Sequence, residues 1–406
     1  MLTATIRTTR GVIASLIFCF NINASDALYP HAQEPIGTVR QVYDGRLYPD
    51  LQVNTFRNID RLFPSSIIAK GSAVQPLPIS NKPLTEFSFA VDNKSYDLYD
   101  VISLNRISGL LILHNGEITF EHYALGNSQH SRWMSMSVAK SITATLIGAA
   151  IHDGLIKHID DPIVNYLPRF KNTAYDGVTV KHLLQMSSGV AWNETYTDAT
   201  SDRRRMLEAQ ISMQPGAILD LMAKLPRAAL PGSKWNYSTG ETHVAGALVQ
   251  AATGKALADY LSEKIWSKLG MGSDASWWLE APNGLEVGGS GISATLRDYA
   301  RFGLFWLNNG VIDGKAVLPP TWMQQASARQ VIAGKQIDYG YMLWPLHGNS
   351  YAAEGIFGQY VFIDPDTRLV VVVWSAQPKP LGKAAVNEYA FFRALSAHFS
   401  KNTAKP

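Results

Sequence analysis

The chain has 406 residues, of which 46% are hydrophobic, 10% aromatic and 17% charged, and its formal net charge is +3. A composition this apolar can bury one large core or two small ones and excludes disorder. Near-neutrality without basic blocks also argues against an electrostatic nucleic-acid binder.

Met1–Ala27 reads as a secretory signal. Arg7 and Arg10 form its positive region, residues 11–20 its short apolar run, and Ala24 or Ala27 the small residue before cleavage. The apolar run is too short to span a bilayer as a helix. No later stretch is long enough either, so no transmembrane span is expected after cleavage, and a secreted or periplasmic location is. Cys19, the only cysteine, lies inside this signal. The mature chain then has no disulfide, no Cys nucleophile and no Cys-held zinc.

Residues 28–105 carry scattered prolines, among them Pro30, Pro49, Pro64 and Pro78. They read as an extension packed on a main domain at 106–400, with 401–406 as a tail. Gly109–His114, Asn115-Gly116 and Glu117–Tyr123 form the strongest hairpin signal in the chain. Gln359–Ile363 and Leu369–Trp374 predict a second hairpin, whose valine run suggests a strand covered on both faces. Between the hairpins the character is helical. Ser137–Ile151 is apolar on nearly every face, Val178–Met186 ends at Ser187-Ser188-Gly189, and Glu241–Thr253 and Leu296–Asn308 stop at Gly254 and Gly310. Ala384–Ser400 closes the chain as a helix. This order predicts an α+β fold, one mostly antiparallel sheet flanked by helices with an inserted helical region.

The chemistry concentrates in Trp133-Met-Ser-Met-Ser137-Val-Ala-Lys140. Ser137 falls where a helix begins, and Lys140 lies one turn on, on the same face. A lysine there meets the positive end of the helix dipole and an apolar surrounding, and both lower its pKa. Such a lysine can take the serine's proton, and the helix N-terminus offers N–H groups for an oxyanion. The bland alternative is a Ser-capped helix with a lysine that reaches the surface. Tyr237 sits just ahead of a helix, after the Pro231-Gly232 turn. It could relay protons as a second acid or base, or be a core tyrosine. Glu354-Gly355-Ile356-Phe357-Gly358-Gln359 precedes the second hairpin, where glycines would let a strand edge approach substrate and the Ile356 N–H could complete an oxyanion hole.

In order and spacing these features resemble the serine β-lactamase/penicillin-binding-protein-like superfamily. Within it they look most like the class C-related esterases and the 6-aminohexanoate-dimer hydrolases. The resemblance also rests on His182-Leu-Leu-Gln-Met-Ser-Ser-Gly189, Pro231-Gly-x-x-Trp-x-Tyr237-Ser, Gly289-Ser-Gly-Ile-Ser-Ala294 and Arg297–Gly303. It implies an acyl-enzyme hydrolase with no cofactor or metal. Ser137 would be the nucleophile, Lys140 the base and Tyr237 the second acid/base, with the Ser137 and Ile356 N–H groups as the oxyanion hole. Two departures bear on substrate. The family's Tyr-x-Asn is here Tyr237-Ser238-Thr239, which leaves open whether Thr239 takes over the Asn's contact. The Lys-Thr-Gly motif, whose cation receives a carboxylate, is replaced by Ala353-Glu354-Gly355.

Gly289–Ala294 also fits a dinucleotide fingerprint, but no strand run is evident before it and no βαβ unit surrounds it. The ten histidines form no H-E-x-x-H pattern. His114, His122, His182 and His243 read as structural, while His347 and Glu354 could touch substrate at the mouth. Trp133, Trp192, Trp235 and Trp344 could line an apolar pocket or fill the core. The leading expectation is an exported serine hydrolase cleaving a small ester or amide through acyl-Ser137, with a small-molecule ester, amide or lactam as the only partner class. The rivals are a β-lactamase or D,D-peptidase of the same fold, and a non-catalytic binding protein that kept the fold.

Overall fold

The structure, a computed structural model, describes residues 29–403. The signal reading of Met1–Ala27 lies outside the described residues.

The first hairpin pairs Ile107–His114 with Glu117–Tyr123 through Asn115 and Gly116, whose φ values are 54° and 84°. Positive φ at both central residues is what the tight I′ turn requires, and Asn-Gly adopts it with least strain. The second hairpin pairs Gln359–Asp364 with Leu369–Ser375. The hairpins then join, with Val372 opposite Leu111. Opposite ends of the chain thus build one antiparallel six-stranded sheet, ordered Trp344–Pro345, Tyr351–Gly355, Gln359–Asp364, Leu369–Ser375, Ile107–His114, Glu117–Tyr123.

Both faces of this sheet are buried. Leu111, Leu113, Val370 and Val372 enter one core, while Leu110, Ile112, Val371 and Val373 enter the other. That two-sided burial explains the uninterrupted valine run, because period-two alternation then carries no polar side. Helices Val138–His152 and Leu296–Leu307 contribute to the first core, and Glu388–Thr403 to the second through Phe391, Phe392 and Leu395. Leu296–Leu307 packs so closely that a Cβ on Gly303 would come 2.6 Å from Val370 Cγ1. The last helix begins after the expected Ala384 and runs through Thr403, into the stretch expected to be a tail.

A second sheet was not anticipated. Ser65–Ile68, Ala275–Trp278, Ile292–Thr295 and Arg132–Met134 form four antiparallel strands in that order. Each is four residues or shorter and fully or partly buried, too short to show alternation. Its last strand leads directly to Ser137, and Ser135 N–H donates to the Ile292 carbonyl at 2.7 Å. Ala275–Trp278 also supplies the strand that the sequence did not reveal ahead of Gly289.

The N-terminal helices Val39–Asp44 and Pro49–Arg57 share the first core through Val42, Tyr43, Val53 and Phe56. Phe56 sits edge-on to Trp133 at 5.6 Å and against Phe357 at 5.0 Å, so it wedges between the strand before Ser137 and the Gly355–Gly358 turn. Among the described residues, no helix is long and apolar enough to cross a membrane.

Candidate active site

Ser137 is the N-cap of Val138–His152, with helical φ and ψ of −71° and −4° and no capping bond from its side chain. Its hydroxyl is therefore not consumed by the helix end, as a capping serine's would be. Met136, directly before it, is held at φ 43° while 98% of its surface is covered. A bulky residue in the left-handed region stores local strain that the surroundings must impose. Here the neighbouring strand imposes it, since Ser135 N–H donates to the Ile292 carbonyl and Ser135 Oγ accepts from the Ile292 N–H.

Lys140 is 1% exposed, and its Nζ donates to Ser137 Oγ at 3.1 Å and to the Gly289 carbonyl at 2.9 Å. Burial lowers its pKa from 10.5 to about 7, with Glu194 pulling it up and Arg203 pushing it down. A lysine in this state offers a free lone pair near neutral pH, within hydrogen-bond reach of a hydroxyl. That pairing can ionise a serine. The snorkelling alternative is excluded by the burial of Nζ and by its two partners.

Tyr237 follows the Pro231-Gly232 turn and precedes helix Thr239–Thr253, capped by Ser238. The turn closes on His182, since a Cβ on Gly232 (φ 76°) would lie 2.9 Å from its Nε2. The Tyr237 ring lies beneath Lys140 Nζ at 5.3 Å. Trp344 stacks on it at 5.9 Å, and Tyr339 meets it edge-on at 5.9 Å. Burial raises the phenol's pKa, and the carboxylate of Glu194 adds to that, whereas a hydrogen bond with Ser137 lowers it. Lys140, Ser137 and Tyr237 therefore form one constellation. The phenol stays protonated at neutral pH, a donor rather than a base.

These groups open on a cavity of about 690 Å³ lined by Ser137, Glu194, Tyr237, Trp344, Glu354 and Ile356 among others. Among the described residues no hydrogen bond within the chain uses the Ser137 or Ile356 backbone N–H. Two free donors beside a serine hydroxyl suit a developing oxyanion. Position 355 must lack a side chain, because a Cβ on Gly355 would stand 2.8 Å from the Ser135 carbonyl.

Of the residues expected to meet substrate, Glu354 and Gly355 line this cavity, whereas Trp192, Thr239 and His347 do not. The Trp192 indole N–H and the Thr239 hydroxyl both donate to Glu194, and Thr239 N–H donates to it at 2.8 Å. His347 stacks on Phe362 and pairs with Ser396 at 3.1 Å, on the far face of the sheet. The tryptophans also divide: Trp133 and Trp374 stack in the core, and Trp235 and Trp344 box the Tyr237 ring.

Glu194 was not expected. It lies in an irregular stretch with no motif, and only the folded chain brings it beside Tyr237 and Thr239. The Gly289 carbonyl is another such group. The Gly289–Ala294 motif pointed to the segment but not to a backbone oxygen facing Lys140.

Residues 105–395 match the model of the Beta-lactamase family. The chain is 26% identical over 342 residues to the 6-aminohexanoate-dimer hydrolase of Paenarthrobacter ureafaciens, covering 80% of this chain and 85% of that protein. It is 32% identical over 143 residues to Esterase EstB of Burkholderia gladioli, covering 33% and 36%. Its fold is similar to the solved structure named "Putative 6-aminohexanoate-dimer hydrolase from Bacillus anthracis", with TM-score 0.78, 23% identity and coverage of 87% and 95%. With the matched span running from the first strand of the large sheet into the last helix, the chain belongs to the beta-lactamase family and is a serine hydrolase.

Proposed function

We propose that the protein is an exported hydrolase that cleaves a small linear ester or amide through an acyl-Ser137 intermediate. The observation that carries this reading is the buried Lys140 Nζ, 3.1 Å from Ser137 Oγ. Neutral Lys140 takes the Ser137 proton as Oγ bonds to the substrate carbonyl carbon. The carbonyl oxygen becomes an oxyanion held by the Ser137 and Ile356 N–H groups. The oxyanion then collapses and the bond to the leaving group breaks, with the leaving oxygen or nitrogen taking a proton from Tyr237. That proton is replaced from Lys140, which returns the amine to neutrality. Water repeats the sequence on the ester of Ser137, releasing the acid and regenerating the hydroxyl.

Substrate class rests on two supports. The relatives are named for a linear amide and for esters. Among the described residues the cavity lining includes no Lys or Arg to receive a carboxylate, and Glu354 stands on its wall, which disfavours a β-lactamase or D,D-peptidase reading. Export rests on the character of Met1–Ala27.

The test is hydrolysis of p-nitrophenyl butyrate together with labelling by a fluorophosphonate. Ser137→Ala should lose both, with turnover falling by at least about 10³-fold. Near-wild-type turnover in that variant would reject the acyl-Ser137 route.

A further inference from the structure

The stretch before Gly189 and the turn before Tyr237 are tied to each other. The Gly232 N–H donates to the Ser187 carbonyl at 2.7 Å, and the Asn236 N–H to the Met186 carbonyl at 2.8 Å. A third tie comes from beyond Tyr237. Ser238-Thr-Gly-Glu241 has the pattern of a capping box, in which the Glu side chain would turn back to the Ser238 N–H. Ser238 does accept the Glu241 N–H at 3.1 Å. The Glu241 side chain, however, leaves the box and pairs with the Ser188 hydroxyl, which itself accepts the Val190 N–H at 3.0 Å. Tyr237 is thus held from both sides by one short stretch, residues 186–188.

Glu241 makes its tie in a dry place. It is 2% exposed, and among the described residues its second oxygen has no hydrogen-bond partner and no cation pairs with it. The titratable groups that feel its charge are the phenols of Tyr175 and Tyr339, which burial keeps protonated. A carboxylate with one donor is costly in such a setting, whereas a carboxylic acid is not. Burial accordingly pushes the pKa of Glu241 up to about 8, with Ser188 pulling it down.

We propose that Glu241, as a neutral carboxylic acid tied to Ser188, is a positioning residue that holds Tyr237 where it protonates the leaving group. The inference rests on the hydrolase reading above and adds to it a group that never touches substrate. Loss of the proton leaves a buried charge with a single donor, and the tie opens to let water reach it.

The leaving group provides the readout. p-Nitrophenolate departs without a proton and ethoxide does not, so a misplaced Tyr237 slows ethyl butyrate far more than p-nitrophenyl butyrate. Glu241→Ala, or Ser188→Ala from the other side of the tie, should lower kcat/KM for ethyl butyrate about tenfold more than for p-nitrophenyl butyrate. Fluorophosphonate labelling of Ser137 should persist in both variants. Glu241→Gln keeps the shape and removes the titration. It should stay within about threefold of the wild type at pH 7 on ethyl butyrate. It should also lose the fall in kcat/KM that the wild type shows above about pH 8. If both esters slow equally in the Ala variants, or Glu241→Gln keeps the alkaline fall, the positioning role is refuted while the hydrolase stands. Should an Ala variant not fold, the pH profile of Glu241→Gln decides alone. If wild-type Ser137 does not label, the hydrolase reading itself falls.

Discussion

Replacing Lys140 by Met should stabilise the protein at neutral pH while removing its activity. Lys140 is buried and its pKa falls from 10.5 in the unfolded chain to about 7 in the folded one. Below pH 7 the unfolded chain holds the proton freely and the folded chain holds it at a loss, so folding costs about 5 kcal/mol more than with an unperturbed lysine. Between about pH 7 and 10.5 the unfolded state binds more protons than the folded one. The penalty then fades by about 1.4 kcal/mol per pH unit. Methionine is close in length and carries no charge, so it escapes this cost. It also orphans the Gly289 carbonyl, now bonded at 2.9 Å, at a cost of about 1–3 kcal/mol. At pH 7, the folded-state midpoint, the balance is a gain of about 1–3 kcal/mol, shrinking by about 2 kcal/mol at pH 9. Urea unfolding of both proteins at the two pH values measures the difference. A gain that does not change with pH, or a loss at pH 7, would refute the reasoning, because groups common to both chains cancel.

Two charges near the amine should move the rate profile in opposite directions. Glu194 raises the pKa of Lys140 and Arg203 lowers it, so Glu194→Gln should shift the acidic limb of kcat/KM to lower pH and Arg203→Met to higher pH. Limbs that stay near pH 7 in both variants would mean that neither charge acts on the base. Gly289→Ala would set a methyl 3.2 Å from Lys140 Nζ and 2.9 Å from Thr239 Cγ2. It should cost about 1–3 kcal/mol in stability and lower kcat more than it raises KM, as unfolding and steady-state rates would report.

The large sheet was legible because its signals are local. Asn115-Gly116 dictates a hairpin by turn geometry, and Val370–Val373 declares two-sided burial by composition. The second sheet was hidden because Arg132–Met134, Ala275–Trp278 and Ile292–Thr295 are too short to carry periodicity and pair only across long separations. The same division holds at the site. Ser137, Lys140 and Tyr237 sit at a helix start or a glycine turn, where sequence position carries meaning. Glu194 lies in an irregular stretch and gains its role only from contacts with Trp192 and Thr239. His347 was misread as a mouth residue because proximity in sequence to Glu354 says nothing about face. Phe362, on the opposite side of the sheet from Val361, takes it away from the cavity.

The account depends on an amine that is uncharged in the folded protein near neutral pH. Its most direct test is an NMR titration of lysine Cε carbons in labelled protein, with Lys140 assigned by the signal missing in Lys140→Met. A midpoint at about pH 7 is the result expected from its burial. A midpoint near 10.5, that of a lysine in water, would contradict the assignment of Lys140 as the base for Ser137.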